Sequence, residues 1–287
     1  MVDFKNAEEL LSICSQSGQK ISAVMKQREC DLGEITMEQA CGRMQTALAI
    51  MREAAMTPLE KSVKSVGGLI GGEAGKLEQH RSRGESICGA VLGRGIAYAM
   101  AVLEVNASMG VIVAAPTAGS AGIVPGLLLA LQEEYRFTEE QLVDALFHAG
   151  AIGYLAMRNA TVAGAVGGCQ AEVGVAAAMT AGAAVELMGG EPGQSLDAAA
   201  TVLMNMLGLV CDPVGGLVEY PCQNRNAAGV ANALIAAELA LSGVRQLIPF
   251  DEMLDTMYQV GKRIPYELRE TALGGCAASP SGCRFCH

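Results

Sequence analysis

Residues 170–188 read QAEVGVAAAMTAGAAVELM, and the fold class can be inferred from this stretch. It spans about five turns of α-helix and lacks the alternation of apolar and polar residues that is typical of a half-buried strand. Glycine at 189 and 190 and proline at 192 commonly terminate helices, so this helix is predicted to end near Met188. Most of its side chains are small, which lets neighbouring helices approach closely. The pattern predicts a buried helix in an all-α protein.

Other parts of the chain carry helical signals of the same kind. Residues 138–141, Thr-Glu-Glu-Gln, form a capping-box pattern that predicts a helix running to about Asn159. The two acidic residues favour the helix N-terminus because they complement the helix dipole. Further helices are predicted at Met37–Met56, Ser195–Leu209, Asn226–Ser242 and Phe250–Ile264. Signals for β-strands are rare, so the all-α class is expected throughout.

The composition of the 287-residue chain predicts a large interior. Hydrophobic residues make up 51% and charged residues 17%, against about 25% charged in an average soluble domain. We expect one integrated helical unit, with residues 1–66 as an N-terminal helical segment packed on a core domain of residues 67–287. The net charge of −10 argues against nucleic acid as a partner, because its phosphates would be repelled.

Neither a membrane span nor an export signal is predicted. No residue from Val105 to Gln132 is charged, and this length exceeds the roughly 20 residues that cross a bilayer. Pro116, Pro125 and several glycines interrupt the stretch, however, and such a loop is not tolerated in contact with lipid. The first five residues have neither the basic nor the apolar region of a signal peptide. We therefore expect a cytosolic protein whose ten cysteines are mostly reduced.

Three cysteines occupy turn-forming contexts between predicted helices. Cys169 follows two glycines, Cys211 comes two residues before a proline, and Cys222 directly follows a proline. Free amides near a helix N-terminus stabilise a thiolate, and three thiolates can hold an iron-sulfur cluster in which one iron keeps no protein ligand. The residues alone leave a second interpretation open, three separate buried thiols, because free cysteine is among the most buried residue types.

A loop of small residues is the second candidate feature. Residues 115–122 read APTAGSAG. Successive backbone amides in such a loop can form a concave site for a carboxylate or a phosphate, and the two hydroxyls add further donors. A plain turn between two helices has the same composition, so the loop alone is not specific.

These motifs, with others in the same order, resemble the alpha chain of the iron-sulfur-dependent L-serine dehydratases, also called L-serine deaminases. The resembling segments cover nearly the whole chain: residues 104–110, 116–125, 159–161, 167–174, 207–214, 218–226 and 269–271. The resemblance implies an all-helical catalytic domain whose glycine- and proline-rich loops converge on a four-iron four-sulfur cluster. It implies Cys169, Cys211 and Cys222 as the cluster ligands. We expect Asn224 and Asn226 to donate hydrogen bonds to cluster sulfurs.

The reaction that the resemblance implies is β-elimination of water from L-serine, which yields pyruvate and ammonia. Hydroxide is a poor leaving group, and an iron without a thiolate can act on the substrate hydroxyl as a Lewis acid. We predict that the small-residue loop binds the substrate carboxylate, with Thr117 and Ser120 as hydroxyl donors. The other predicted substrate-binding residues are Pro116, Ala118, Gly119, Ala121, Gly122 and Asn159.

A general base is not apparent in the sequence. His148 is the only histidine between residues 81 and 286, and its place in a predicted helix is typical of a core residue. In the family the base is attributed to the beta part of the enzyme. The resemblance therefore implies a separate beta subunit as a partner, with L-serine as the substrate.

The C-terminal residues 275–287 depart from the family pattern because they carry three extra cysteines. Some relatives end in a cysteine that folds back onto the open iron, and Cys286 or Cys283 is the candidate here for such a labile fourth ligand. A frayed tail is the alternative. Residues 283–287 also match the pattern for c-type haem attachment, but no export signal precedes them. A zinc site using Cys276, Cys283, Cys286 and His287 is a further interpretation, although the spacer offers nothing to orient the ligands.

Three other functions remain open at this stage. A pyridoxal-phosphate lyase would use residues 116–122 as a phosphate loop, but no lysine lies between Lys76 and Lys262 to form the Schiff base. A related iron-sulfur cysteine desulfidase would use the same site with sulfide as the leaving group. A noncatalytic binding or membrane protein would use the alanine- and glycine-lined helices for packing alone.

Overall fold

Twelve α-helices and several short helical turns form the part of the chain that the computed structural model describes, residues 2–285. The α-helices are α1 (Ala7–Ser17), α2 (Ile21–Gly33), α3 (Met37–Glu60), α4 (Glu73–Ser82), α5 (Gly89–Ala107), α6 (Ile123–Tyr135), α7 (Glu139–Asn159), α8 (Gly164–Gly167), α9 (Val175–Leu187), α10 (Pro192–Asn205), α11 (Cys222–Leu241) and α12 (Phe250–Arg263). Short 3₁₀ turns lie at Ala118–Ser120, Val214–Gly216, Tyr266–Leu268 and Gly282–Phe285, and a π-helical turn lies at Gln170–Gly174.

The predicted all-α class is confirmed. The structure is 69% helical, and residues 2–285 contain no β-strand. Within this range one isolated bridge pairs Cys211 with Arg269 in a parallel sense. The bridge matters because it joins two of the segments that carry candidate site residues.

Helix α9 lies at the centre of the fold. All of its residues from Val175 to Glu186 are buried, and it packs against α6, α7, α10 and α11. Most of these residues are alanine, glycine or valine, so the packing by small side chains is as predicted. One continuous hydrophobic core extends from Phe4 to Met257. The division of the chain at residue 66 stays a prediction.

Glycines let α5 and α6 cross at close range where the small-residue loop ends. A Cβ atom at Gly126 would lie 2.8 Å from the carbonyl oxygen of Gly95, and one at Gly122 would collide with the carbonyl oxygen of Ala99. Real Cβ atoms do not tolerate such contacts with backbone. Because Gly122 is the last residue of the loop, this crossing fixes the end of the loop against α5.

Helix α5 is the one helix in residues 2–285 that could cross a membrane by length and composition. Its apolar window is 61% buried inside the protein, and α5 packs against α3, α4, α6 and α11. The uncharged stretch from residue 105 to 132 forms no continuous helix, because it comprises the end of α5, the small-residue loop and most of α6. Both observations are typical of a core helix.

The predicted capping box at the start of α7 is confirmed. The Thr138 hydroxyl accepts the N–H of Gln141 at 3.3 Å, and the side-chain oxygen of Gln141 accepts the N–H of Thr138 at 2.9 Å. The helix ends at Asn159, as predicted. A local signal that depends on residues three positions apart is therefore sufficient to place this helix.

Three other helix starts differ from the prediction. The stretch at 170–188 begins with the π-helical turn at Gln170–Gly174 before α9. Helix α10 begins at Pro192 rather than Ser195. Proline is favourable at the first helical position, because the N–H that it lacks would have no partner inside the helix there. Helix α11 begins at Cys222 rather than Asn226. Cys222 is therefore the first residue of a helix and does not lie in the loop before it.

Candidate functional site

Cys169 and Cys222 lie at the starts of helical segments. Gly168 turns the chain before Cys169 with a φ of 74°, and a Cβ atom there would come within 2.8 Å of the carbonyl oxygen of Leu209. Cys169 leads into the π-helical turn and α9, and Cys222 opens α11 directly after Pro221. Both thiols therefore lie near first-turn amides, which favour a thiolate.

Cys211 is held in an extended segment after α10. Its N–H donates to the carbonyl oxygen of Leu268 at 2.9 Å, and its carbonyl oxygen accepts the N–H of Glu270 at 2.7 Å. The thiol donates to Oε2 of Glu172 at 3.6 Å. The motif at residues 269–271 and the π-helical turn before α9 thus both contact Cys211.

The thiols of Cys169, Cys211 and Cys222, together called the cysteine site, lie within electrostatic range of one another. Burial raises the pKa of Cys169 to about 11, and burial with the charge of Cys169 raises the pKa of Cys222 to about 12. Burial, Glu172 and the other two cysteines raise the pKa of Cys211 far above its usual range. Without a bound metal the three thiols are therefore protonated at neutral pH, and metal binding must displace protons.

Arg225 supplies positive charge beside the cysteine site. Its guanidinium lowers the pKa of Cys169 and of Cys222, although burial has the larger effect. The guanidinium donates to the carbonyl oxygen of Val210 at 2.8 Å and forms an ion pair with Asp212 at 2.7 Å. These contacts fix its position, so it can offset negative charge when the thiols ionise.

Glu172 bridges the small-residue loop and the cysteine site. Thr117 Oγ1 donates to Oε1 of Glu172 at 2.8 Å, while the other carboxylate oxygen accepts from the Cys211 thiol. Thr117 Oγ1 also lies 3.2 Å from the hydroxyl of Ser120, which is buried. Burial raises the pKa of Glu172, and the hydrogen bond from Thr117 opposes this shift. Glu172 thus links Thr117 to the Cys211 thiol, and Ser120 lies next to Thr117.

Asn226 connects the same loop to Cys222. Its Nδ2 donates to the carbonyl oxygens of Gly119 at 2.8 Å and Cys222 at 2.9 Å, and its Oδ1 accepts the N–H of Gly122 at 3.1 Å. The side chain is completely buried. Asn226 therefore fixes the loop to the first turn of α11, with its polar atoms bound to main chain.

Two backbone amides of the loop, those of Ala118 and Gly119, have no acceptor in the part of the chain that the structure describes. They open the short 3₁₀ turn, where the first N–H groups lack an intrahelical partner. Ala118 is exposed and Gly119 is half-buried. These two N–H groups are therefore donors that the loop leaves without a partner within the described residues.

Two residues considered in the sequence analysis, Asn159 and His148, lie elsewhere, and a third, Asn224, is exposed beside the site. Asn159 is exposed, and its side-chain amide donates to the carbonyl oxygen of Lys5 at 2.8 Å; no hydrogen bond within residues 2–285 joins it to the loop. Asn224 is exposed on α11. His148 is completely buried in α7, where its Nδ1 lies 2.8 Å from Oε2 of Glu186. The structure does not bring Asn159 or His148 to the loop or the cysteine site, and the role predicted for Asn224, two residues after Cys222, stays a prediction.

The C-terminal segment lies beside the ion pair of the site. The N–H of Cys276 donates to Oδ2 of Asp212 at 2.6 Å, and burial followed by Asp212 raises the pKa of the Cys276 thiol. Cys283 is exposed, and Cys286 lies outside the described residues. A cavity of about 470 Å³ separates this segment from the loop before α4, and Tyr220 and Phe285 are among its lining residues.

Two carboxylates near the site were missed by sequence reasoning. Glu172 and Glu219 lie within the resembling segments 167–174 and 218–226, but the sequence analysis assigns neither of them a role. Both are charged residues in apolar or small-residue surroundings, QAEVG and LVEYP, and a lone charge in such a sequence must find partners when it is buried. The sequence thus indicates that both carboxylates need hydrogen-bond donors, but it does not indicate which residues supply them.

No three His, Cys, Asp or Glu side chains among residues 2–285 are arranged to hold a single metal ion. The alternative interpretation of the C-terminal segment as a zinc site involves Cys286 and His287, which lie outside the described residues.

Comparison with known proteins identifies the family. Residues 16–277 match the family model described as serine dehydratase alpha chain. The chain is 49% identical over 279 residues to a Bacillus subtilis protein named probable L-serine dehydratase, alpha chain. The matched region covers 97% of this chain and 93% of that protein. It is 44% identical to the L-serine dehydratase, alpha chain, of Peptoniphilus asaccharolyticus, over 96% and 94% of the two chains. A Helicobacter pylori protein named L-serine dehydratase is 36% identical over 96% of this chain but only 61% of its own length. The chain therefore belongs to the serine dehydratase alpha chain family.

Proposed function

We propose that this chain is the alpha subunit of an L-serine dehydratase, which eliminates water from L-serine and yields pyruvate and ammonia. Relatives with the alpha-chain name match it over nearly their whole length. The observation that carries the proposal is the bridge from Thr117 through Glu172 to Cys211. A substrate whose carboxylate is bound by the small-residue loop would lie next to the cysteine site.

We further propose that Cys169, Cys211 and Cys222 hold a four-iron four-sulfur cluster. Three thiols lie in one environment with Arg225 beside them; those of Cys169 and Cys211 are buried and that of Cys222 is half-buried. This arrangement fits a group that needs thiolates and carries negative charge. A cluster takes each thiolate on a different iron, so its ligands need not meet at one point as those of a single ion do. When bound, such a cluster supplies a Lewis acid for the departing hydroxyl at the iron without a thiolate.

The residues of the loop bind and orient the substrate. The amides of Ala118 and Gly119 donate to the substrate carboxylate, and the Thr117 and Ser120 hydroxyls lie at the same site. Thr117 donates its one hydroxyl hydrogen to Glu172, so in this arrangement it holds the loop in place and the two amides are the donors to the carboxylate. Binding energy is used in this way to hold the reacting atoms in one geometry.

A separate beta subunit completes the enzyme in this proposal. The Helicobacter pylori relative, which is named L-serine dehydratase without a chain designation, is longer, and this chain spans 61% of it. The general base comes from the second subunit, because His148 is buried against Glu186 in the core. We place the assembled enzyme in the cytosol.

The proposal is tested by anaerobic purification with and without a beta chain, followed by iron and sulfide analysis and a pyruvate assay. We expect about four irons per chain, with loss of iron in Cys169→Ala, Cys211→Ala and Cys222→Ala. Cys14→Ala is the matched control, because Cys14 is buried in α1 outside the site. Pyruvate should form from L-serine only when the beta chain is present.

Three outcomes would contradict parts of this proposal. A colourless, iron-free protein after anaerobic reconstitution would remove the cluster. Equal loss of iron in Cys14→Ala would show that the cysteine substitutions act through folding. Sulfide release from L-cysteine with no pyruvate from L-serine would favour the desulfidase.

A further inference from the structure

The glycine loop, residues 61–72 between α3 and α4, is bound by a carboxylate from a distant part of the chain. Glu219 accepts hydrogen bonds from Ser65 Oγ at 2.7 Å, from the N–H of Gly67 at 2.7 Å and from the N–H of Leu69 at 2.9 Å. Only 3% of Glu219 is exposed, and Ser65 is also buried. A buried carboxylate with three donors is well compensated, so this contact joins the two segments strongly.

The glycine loop is shaped to fit this carboxylate. A Cβ atom at Gly67 would lie 2.8 Å from Oε1 of Glu219 and would collide with the side chain of Leu217. The N–H of Val66 donates to the carbonyl oxygen of Ala107 at 2.8 Å, which fixes the loop to the end of α5. Glu219 is therefore bound to a segment that is itself attached to the core.

The main chain of Glu219 continues directly into the first turn of α11. Its carbonyl oxygen accepts the N–H of Gln223 at 2.9 Å, and the next carbonyl, that of Tyr220, accepts the N–H of Val214 at 2.9 Å. No side-chain hydrogen bond caps the N-terminus of α11. The position of Cys222, three residues after Glu219, consequently depends on how this short segment is held.

We propose that Glu219 is a positioning residue that fixes Cys222 for cluster binding by attaching its segment to the glycine loop. The inference rests on the proposed function, since it assigns Cys222 as a ligand. Glu219 itself contacts neither the substrate nor the cluster. It acts through the backbone between residues 219 and 223.

The test uses the metal-free full chain, so that it does not depend on activity. The rate of Cys222 alkylation by iodoacetamide is measured by mass spectrometry in wild type, Glu219→Ala, Glu219→Gln and Ser65→Ala. Glu73→Gln is the matched control, because Glu73 accepts the N–H of Gly71 at 2.6 Å and so binds the same glycine loop without touching the Cys222 segment. Cys169 serves as an internal reference within each sample.

We expect Cys222 to react about tenfold faster in Glu219→Ala, because loss of several hydrogen bonds raises the population of locally opened chain. Ser65→Ala removes one of the three donors and should give a smaller increase in the Cys222 rate. Glu219→Gln should give an intermediate increase, because the new side-chain NH₂ group would face a backbone N–H of the glycine loop. Cys169 should keep its wild-type rate in all variants. Iron content after anaerobic reconstitution should fall in the same order as the Cys222 rate rises.

An unchanged Cys222 rate in folded Glu219→Ala, or an equal increase in Glu73→Gln, would overturn the inference. If Glu219→Ala does not fold, Ser65→Ala replaces it in the test, and an unchanged Cys222 alkylation rate in Ser65→Ala would also overturn the inference. A wild-type chain that binds no iron would contradict the proposed function. If the wild type binds iron, and the variants match it in Cys222 alkylation rate and in iron content, only the role of Glu219 is contradicted.

Discussion

Asn226 shows how much one side chain contributes to the candidate site. A single amide group makes three hydrogen bonds to main chain, two of them to the small-residue loop and one to the first turn of α11. Two of these three groups, the Gly119 carbonyl and the Gly122 N–H, belong to the loop and not to a regular α-helix. Removing the amide therefore leaves buried polar groups unpaired, which costs more than the hydrogen bonds themselves contribute.

We expect Asn226→Ala to lower the free energy of unfolding by about 1–3 kcal/mol and to raise the KM for L-serine more than it lowers kcat. Urea unfolding of the metal-free protein measures the first effect, and steady-state kinetics of the assembled enzyme measures the second. Asn224→Ala, two residues away on the exposed side of α11, is the control and should change stability by less than about 0.5 kcal/mol. Equal effects of the two substitutions would contradict the role given to Asn226.

The crossing of α5 and α6 is the element on which the loop depends. Gly95 and Gly126 bring the two backbones together, and Gly122 continues the contact into the loop. In a close-packed interior a contact with backbone cannot be relieved by a change of rotamer. The helices would have to separate to admit a methyl group.

Gly126→Ala should destabilise the protein by about 1–2 kcal/mol, because overpacking at the crossing outweighs the gain in helix propensity. Gly42→Ala is the matched variant, since Gly42 also lies inside a helix but a Cβ atom there would meet nothing within 4 Å. It should stabilise by about 0.5–1 kcal/mol. Thermal unfolding compares the stability of both variants with that of wild type. Destabilisation by Gly42→Ala would contradict the prediction, because helix propensity would then not account for the effect of alanine at an open position.

The sequence predicted elements well wherever the signal is local. The capping box of Thr138 and Gln141 and the apolar small-residue run of α9 both depend on residues within one segment, and both were confirmed. The start of α11 was placed four residues late because proline and cysteine before it resemble a turn. The bridges formed by Glu172 and Glu219 could not be predicted, since the donors to Glu172 lie 39 and 55 positions away in sequence and those to Glu219 lie 150 to 154 positions away. Long-range polar partners follow from the fold and not from any local pattern.

At the level of the whole molecule, a buried carboxylate connects the N-terminal segment with the central helices. Oε2 of Glu186 on α9 lies 2.8 Å from Nδ1 of His148 on α7 and accepts the N–H of Ser22 on α2 at 3.3 Å. Burial raises the pKa of Glu186, but the hydrogen bonds and charge of its partners outweigh burial and hold it below the usual range. Three helices are thus joined through one ionised group.

The lowered pKa of Glu186 predicts a loss of stability in acid. The unfolded chain binds this proton at higher pH than the folded chain, so the stabilisation is present at neutral pH and is lost as pH falls through the folded pKa. The free energy of unfolding, measured with urea on the metal-free protein from pH 6 into acid, should fall less steeply with decreasing pH in Glu186→Gln than in wild type. Glu60→Gln, an exposed residue at the end of α3, should keep the wild-type slope. Identical slopes in all three proteins would contradict the lowered pKa.

The cavity beside the C-terminal segment has a consequence for optical experiments. The chain contains no tryptophan, so its ultraviolet emission comes from tyrosine alone. Tyr220 lines the cavity and is 44% exposed. A tryptophan placed there by Tyr220→Trp would be the sole indole fluorophore of the molecule, and its wavelength and quenching would report, without any attached dye, when the neighbouring segment moves or the cavity fills.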